Sequence, residues 1–397
     1  MNIVSNQRRT LGAALTLICM TAGSTATSSL FVIYRHDWGI TSADIAIAFT
    51  AYVGTLLPTL LFFGGLAERY GRRAVIRGGI ASMALGLLTL TLAHSLPLLI
   101  LARLFQGAGV GLSIGAVSAA FAESYRGRLP QGNALQSITA VGLFAGPVVS
   151  AVAYHFGAGL NGSFVPGLIS VVSLFAFSQL IAEPANDASV QRTADTPLPD
   201  AEVVRGLRFA MPLVFVSWAG LSMYLSLVPA YLAAELHAVN PLIGAAAIVA
   251  AQLSSLIATL VLGGALLQRS GIVAPVVTVA GLALLVTGTS FNAWPLVAIS
   301  TVLVGAGGGI ASAAAFGIAN RVGRGQRARV FGRMFVAAYL GYSVPVLAIG
   351  MIAVHASLAV GFIVAIAGLT AITAALPFVR EAAVQPTACP RAAVATA

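Results

Sequence analysis

Lysine is missing from this chain: all 21 basic residues are arginine. Charge of either sign is scarce. Only 8% of the 397 residues are charged, against about a quarter in a soluble domain, which excludes an ordinary solvated surface. The two cysteines, Cys19 and Cys389, lie in an apolar run and in the tail, which excludes a disulfide framework. No cluster of His, Cys, Asp or Glu has metal-ligand spacing, and no ATP-binding signature or Ser/His/Asp arrangement occurs. Neither an enzyme nor a metal or other cofactor is expected. The formal charge of +10 raises nucleic acid as a partner, yet no basic residues interleave with aromatics on a soluble segment. A cleavable leader is not expected either, because Arg8 and Arg9 run into about 23 apolar residues rather than a short apolar core.

What the chain does have is apolar length, with 58% hydrophobic residues. Runs of roughly 20 residues, enough to cross a bilayer, fall at 10–33, 45–67, 74–93, 97–121, 134–155 and 163–182. They resume at 208–233, 241–267, 272–291, 294–319, 329–354 and 357–379. Between the two sets, residues 183–207 carry Pro184, Pro197, Pro199 and most of the soluble acids, and read as a linker. The spacing predicts an all-α membrane protein with twelve transmembrane helices in two pseudo-symmetric six-helix bundles. Its expected parts are a bundle over 1–182, a cytoplasmic linker over 183–207, a bundle over 208–380 and a disordered tail over 381–397.

Arginine placement orients the spans. With both termini cytoplasmic, every arginine except Arg35 and Arg103 falls on an inner segment. All five histidines (His36, His94, His155, His237 and His355) then lie at the outer face, through interfacial polarity or as pH sensors.

The halves also resemble each other. Leu66, Arg69 and Gly71 face Leu266, Arg269 and Gly271 at an offset of 200, while Pro97, Gly107, Gly109 and Gly111 face Pro295, Gly305, Gly307 and Gly309 at 198. Pro147 and Pro345 keep that second offset. Duplicated halves suit alternating access around a site near mid-membrane. Arg103 faces Thr301, so its charge belongs to one half only.

The stretch GGLAERYGRR (64–73) joins the second and third spans. It resembles the signature loop of the major facilitator superfamily, G-x-x-x-D-R-x-G-R-R. Gly64, Arg69, Gly71, Arg72 and Arg73 match, and Glu68 stands where that family has Asp. The resemblance implies a loop that braces the inner helix ends and helps hold the outward-open state. Glu123, at the inner end of the fourth span, is placed to pair with Arg69 or Arg72, or is a simple interfacial acid.

Arg103 follows Pro97 by six residues, about 9 Å along a helix. A charge at that depth is costly and points to function. Steps of four from it give Gly107, Gly111, Gly115 and Ala119, a small-residue row that packs closely on neighbours and turns Arg103 toward protein. Snorkelling and pairing with carbonyls are the structural alternatives. The stretch also resembles the superfamily's fourth-helix motif R-x-x-Q-G-x-G, matched by Arg103, Gln106, Gly107 and Gly109. There the arginine is implicated in proton coupling. It does not itself deprotonate, so it would tune a carboxylate or hold an anion. The fifth span, GLFAGPVVSA (142–151), resembles the antiporter motif G-x-x-x-G-P-x-x-G-G through Gly142, Gly146 and Pro147, and is equally a proline kink.

None of the eleven acids lies at mid-depth. The outer acids Asp37 and Asp44 are the candidate partners of Arg103, with Asp44 also a candidate helix cap. Thr21, Ser24, Thr25 and Ser28 share one helical face at i, i+3, i+4 and i+7. The family's architecture, with spans one, four, seven and ten around a cavity, adds Gln106, Trp218, Ser222 and Tyr224. Gln252, Tyr52, Gln136 and Tyr339 rank behind them. The expectation is a secondary-active, proton-coupled exporter of drugs or other small organic molecules. The alternative is a transporter of an organic anion with Arg103 as counter-charge. Expected partners are a small-molecule substrate, protons and the lipid bilayer of a bacterial inner membrane, with the chain acting as a monomer.

Overall fold

A bilayer offers no partner to a free backbone amide, so each apolar run must close its own hydrogen bonds as a helix. The computed structural model describes residues 3–63, 70–125, 127, 131–178, 199–262, 272–323 and 326–384. The first half comprises α1 (Ile3–Thr25), α2 (Phe31–Trp38), α3 (Ser42–Phe63), α4 (Arg72–Leu92), α5 (Leu96–Ser124), α6 (Gln131–Ala153) and α7 (Val165–Phe177). The second comprises α8 (Asp200–Ser226), α9 (Val228–Leu236), α10 (Pro241–Leu262), α11 (Val273–Ser290), α12 (Trp294–Val322), α13 (Arg327–His355) and α14 (Leu358–Val384). No strand occurs among the described residues. Eleven stretches are long and apolar enough to cross a membrane, and the sixth expected span contains the shorter apolar helix Val165–Phe175. The rest of that run, from 179, lies outside the described residues. The all-α, twelve-span architecture is therefore the one the apolar runs imply.

Two spans are broken at matching places. The first stops after Thr25, where the run Thr25-Ala26-Thr27-Ser28-Ser29 supplies hydroxyls that compete for backbone groups. A 3-10 turn over Ser28–Leu30 leads into α2, and the Leu30 N–H bonds the Thr27 carbonyl at 3.0 Å. The seventh span breaks at Leu227, and Pro229 in the first turn of α9 has no N–H with which to continue the ladder. The helix carrying that span starts at Asp200, inside the stretch read as linker. Pro199 precedes it, and Asp200 and Glu202 in its first turn suit the positive end of a helix.

The internal repeat is a repeat of packing. A Cβ on Gly107 would strike the Tyr52 carbonyl of α3, and one on Gly305 would strike the Ala251 carbonyl of α10. Gly109 sits against Gly79 and Met83 of α4 as Gly307 sits against Ala274 and Thr278 of α11. The halves meet where α3 packs on α13 and α6 on α10. At the histidine-bearing end α2 also packs on α9. There a Cβ on Gly350 of α13 would lie 2.8 Å from the Ser42 carbonyl and press on Ala46 of α3, so the seal is close.

Candidate functional site

The break in the first span explains where Arg103 points. A helix that stops leaves its last carbonyls without partners, and its end carries partial negative charge. Arg103 of α5 donates through Nη1 to the Ser24 carbonyl at 2.6 Å and to Gln106 Oε1 at 2.8 Å. Gln106 Nε2 in turn donates to the Gly23 carbonyl at 2.9 Å. Arg103 is only 1% exposed, so the glycine row does turn it toward protein. Its guanidinium carbon lies 4.8 Å from the centre of the Tyr52 ring and 5.9 Å from that of Phe49. Nε is buried without a hydrogen-bond partner, as is the hydroxyl of Tyr34 on α2.

The expected contact between Arg103 and Asp37 or Asp44 does not form. Asp37 Oδ1 lies 2.8 Å from Nδ1 of His36 at the surface. Asp44 accepts from the N–H and hydroxyl of Thr41 at 2.8 and 2.7 Å, and its own N–H donates back to that hydroxyl. That reciprocal exchange is a capping box. Both acids are consumed by local geometry at helix ends, and among the described residues Arg103 has no carboxylate partner.

On the hydroxyl face of the first span, Thr21 and Thr25 lie in a close seam with α6. A Cβ on Gly142 would strike the Thr21 hydroxyl and the Ile18 carbonyl, and one on Gly146 would strike the Ala22 carbonyl. Thr25 donates to the Leu143 carbonyl at 3.1 Å and Ser29 to that of Pro147 at 2.8 Å, the carbonyl of the kinking proline itself. Ser150 donates to the Ala26 carbonyl at 2.6 Å, satisfying another acceptor at the break. Thr21 bonds the Leu17 carbonyl and Ser24 the Thr21 carbonyl, both at 2.7 Å, and Ser28 is buried. Small residues and hydroxyls close membrane helices together in this way.

In the second half Tyr224 lies 3.3 Å from Ser300 and accepts from the Thr301 hydroxyl at 3.2 Å, all three buried. Ser222 is fully buried on the Ala219 carbonyl, and Gln252 is buried on α10. Of the second-half cavity candidates, Trp218 stays half-open, with Nε1 donating to Ser312 at 3.3 Å. Around it lies an aromatic face, of which only Tyr339 is singled out from the sequence. Phe331, Phe335, Tyr339 and Tyr342 occupy one face of α13 at i, i+4, i+8 and i+11, half-buried, opposite the exposed Arg333, Leu340, Val344 and Met351. Their rings form a chain with Phe316 and Trp218. It crosses to the first half where Tyr342 stacks on Phe49 at 4.8 Å, beside Arg103.

At the arginine-rich end Arg72 and Glu123 form a two-pronged pair at 2.7 and 2.9 Å, one of the two pairings expected. Gly71 has φ +85° before α4, a conformation that favours glycine. Arg73 follows in the same first turn, while Gly64, Glu68 and Arg69 lie outside the described residues. The bond from Arg72 holds the Glu123 carboxyl below its ordinary value. A depressed carboxylate stabilises the fold at neutral pH, and that contribution is lost as pH falls through the lowered value. Thermal melts of the solubilised protein across the acid range should show Glu123→Gln with a flatter acid-side decline than the native chain. An unchanged decline would mean the pair contributes nothing.

The family model described as Major Facilitator Superfamily matches residues 13–212, half of the chain. Riboflavin transporter RibZ of Clostridioides difficile (strain 630) is 26% identical over 157 residues, 38% of this chain and 34% of that protein. The 3-(3-hydroxy-phenyl)propionate transporter of Escherichia coli (strain K12) is 39% identical over 66 residues, 17% of this chain and 16% of its own. Multidrug resistance protein MdtL of Shewanella sp. (strain ANA-3) is 36% identical over 76 residues, 19% of each chain. The matched stretches thus span about a third of the first relative's length and less of the others. The crystal structure of nucleoside transporter NupG superposes with a TM-score of 0.71 at 12% identity, covering 94% of this chain and 99% of that one, a likeness of fold. Helical architecture, duplicated packing and family match agree, and the chain belongs to the major facilitator superfamily of membrane transporters.

Proposed function

We propose that this chain is a secondary-active transporter that carries a small organic anion by alternating access, with Arg103 as the substrate's counter-charge. The carrying observation is a buried guanidinium that, among the described residues, has no carboxylate partner and keeps Nε without a hydrogen-bond partner. A buried charge left unpaired in a membrane is expensive, and an arriving anion would offset that cost. Arg103 also stands beside the Phe49–Tyr342 contact that joins the halves, where an alternating-access carrier holds its cargo. One relative is named for an arylpropionate, which is such an anion. The arginine distribution supports cytoplasmic termini, the bacterial relatives support a bacterial inner membrane, and the family supports a monomer.

A second reading, proton-coupled efflux of a drug, is favoured by the relative named for multidrug resistance and by the Gly142, Gly146 and Pro147 motif. Proteoliposomes holding the full chain and an imposed pH gradient separate the two. Labelled 3-phenylpropionate should move saturably and be inhibited by other organic anions but not by organic cations of equal size. Cations that are carried while anions neither move nor compete would replace the first reading with the second. Flux that ignores collapse of the gradient would remove proton coupling.

A further inference from the structure

The aromatic rings of α13 face away from lipid, yet they are not sealed. Phe49 is buried beside Tyr342, whereas Tyr342, Tyr339 and Trp218 each keep part of their surface uncovered. Trp218 stands edge-on to Tyr339 at 5.0 Å and to Tyr342 at 6.1 Å, with interplanar angles of 77° and 68°. These edge-on rings, each partly uncovered, meet at a corner whose walls include π faces. A flat ring entering that corner meets one face and one edge, the two arrangements that aromatic pairs prefer. Aliphatic side chains would pack the bundle equally well in hydrocarbon, so packing alone does not call for rings on this face. The corner also has a polar neighbour. Tyr342 leans on Phe49 at 4.8 Å, and the Arg103 guanidinium lies 5.9 Å from the same Phe49 ring.

We propose that the site takes a planar aromatic anion, its ring in the corner of Trp218, Tyr339 and Tyr342 and its negative group at Arg103. This rests on Arg103 being the counter-charge. It goes further in naming the ring as what is selected. Flat acids suit the arrangement, because Tyr342 and Arg103 both lie beside the Phe49 ring. The second half, which has no charge at the position equivalent to Arg103, supplies the ring seat, and the first half supplies the charge. One substrate therefore touches both halves.

The chain with Trp218 as its sole tryptophan, obtained by Trp38→Phe and Trp294→Phe, reports on the corner directly. 2-Naphthoate should quench its fluorescence saturably and bind about tenfold more tightly than the fully saturated decahydro-2-naphthoate, the size expected for two ring contacts. Tyr342→Leu should bring the two acids to nearly equal affinity, while Tyr342→Phe, which keeps the ring, should preserve the difference. Equal binding of both acids, lost in Arg103→Gln, overturns the ring seat and leaves the anion reading standing. An affinity ratio unchanged by Tyr342→Leu also overturns the ring seat. Tighter binding of 2-naphthylmethylammonium than of 2-naphthoate overturns the anion reading itself.

Discussion

Arg103→Met should leave the protein folded and close to native stability while stopping transport. Burying a guanidinium costs several kcal/mol in lost hydration, after relaxation. Its bonds to the Ser24 carbonyl and to Gln106 return ~1.5–3 kcal/mol each, and the Tyr52 ring about 2 kcal/mol more. These opposing quantities are of similar size, so an apolar side chain of similar length changes stability little. On the proposed reading the substrate, by contrast, loses its counter-charge. Initial uptake per folded molecule should fall roughly 10- to 150-fold, the equivalent of one charge-assisted hydrogen bond. Arg103→Gln sharpens the test, because it keeps a donor for the Ser24 carbonyl but no charge, and it should be as inactive as the methionine variant. Arg103→Lys keeps the charge as a single point without the planar fork, and should retain partial transport. Native uptake by Arg103→Gln would reduce the arginine to a cap on α1.

The repeat shows why a cap is an insufficient account. At the offsets of the duplication, Arg103 corresponds to Thr301 and Ser24 to Tyr224. Both halves therefore join the fourth helix of the bundle to the first at the same place. In one half the link is Arg103 on the Ser24 carbonyl, and in the other it is Thr301 on the Tyr224 hydroxyl. The broken seventh span is held by a neutral network, so this architecture does not by itself require a charge. The cost of the charge in the first half is left for function to explain.

The spans were legible because hydrocarbon permits a long apolar run little besides a helix, and glycine spacing showed which way Arg103 turns. Pairing with a carbonyl was among the alternatives, but which carbonyl was not legible. The acceptor is the backbone carbonyl of Ser24, freed by a break that the letters TATSS suggest only weakly. Asp37 and Asp44 looked available because sequence reports depth and not occupancy, and Thr41 had already engaged Asp44. Thr21, Ser24 and Thr25 lie in α1, whereas Ser28 falls in the 3-10 turn beyond its end. The pattern cannot separate a cavity wall from a seam, since a hydroxyl at either place bonds carbonyls of its own helix. The glycines at 142 and 146 were the available clue, being the same four-step spacing on the helix that packs there. The aromatic face of α13 was equally visible as 331, 335, 339 and 342. Its meaning depended on Phe49, nearly 300 residues away in sequence, lying beside it.

Gly146→Ala should be among the most damaging one-carbon additions in the protein, and Gly115→Ala among the least. Both sit in membrane helices and both substitutions add one methyl group, so helix propensity favours each alike. They differ in what the methyl meets. At Gly115 no heavy atom lies within 4 Å, whereas at Gly146 the new carbon would strike the Ala22 carbonyl and lie 2.6 Å from the Thr25 hydroxyl. A backbone carbonyl cannot swing aside as a side-chain end can, so α1 and α6 must part. Parting them stretches the bonds from Thr25, Ser29 and Ser150 that tie the seam across the break. The expected loss is at least ~1–3 kcal/mol from overpacking, with the stretched hydrogen bonds adding to it. Gly115→Ala should stay within about 0.5 kcal/mol of native. Thermal melts and the yield of monodisperse protein in detergent measure both. The comparison also bears on coupling. If Gly146→Ala melts like the native chain but lets solute leak without a proton gradient, the motif governs coupling and the packing account fails. If it loses folded protein in proportion to transport, the motif that resembles an antiporter signature acts here as the close contact that holds the broken first span in place.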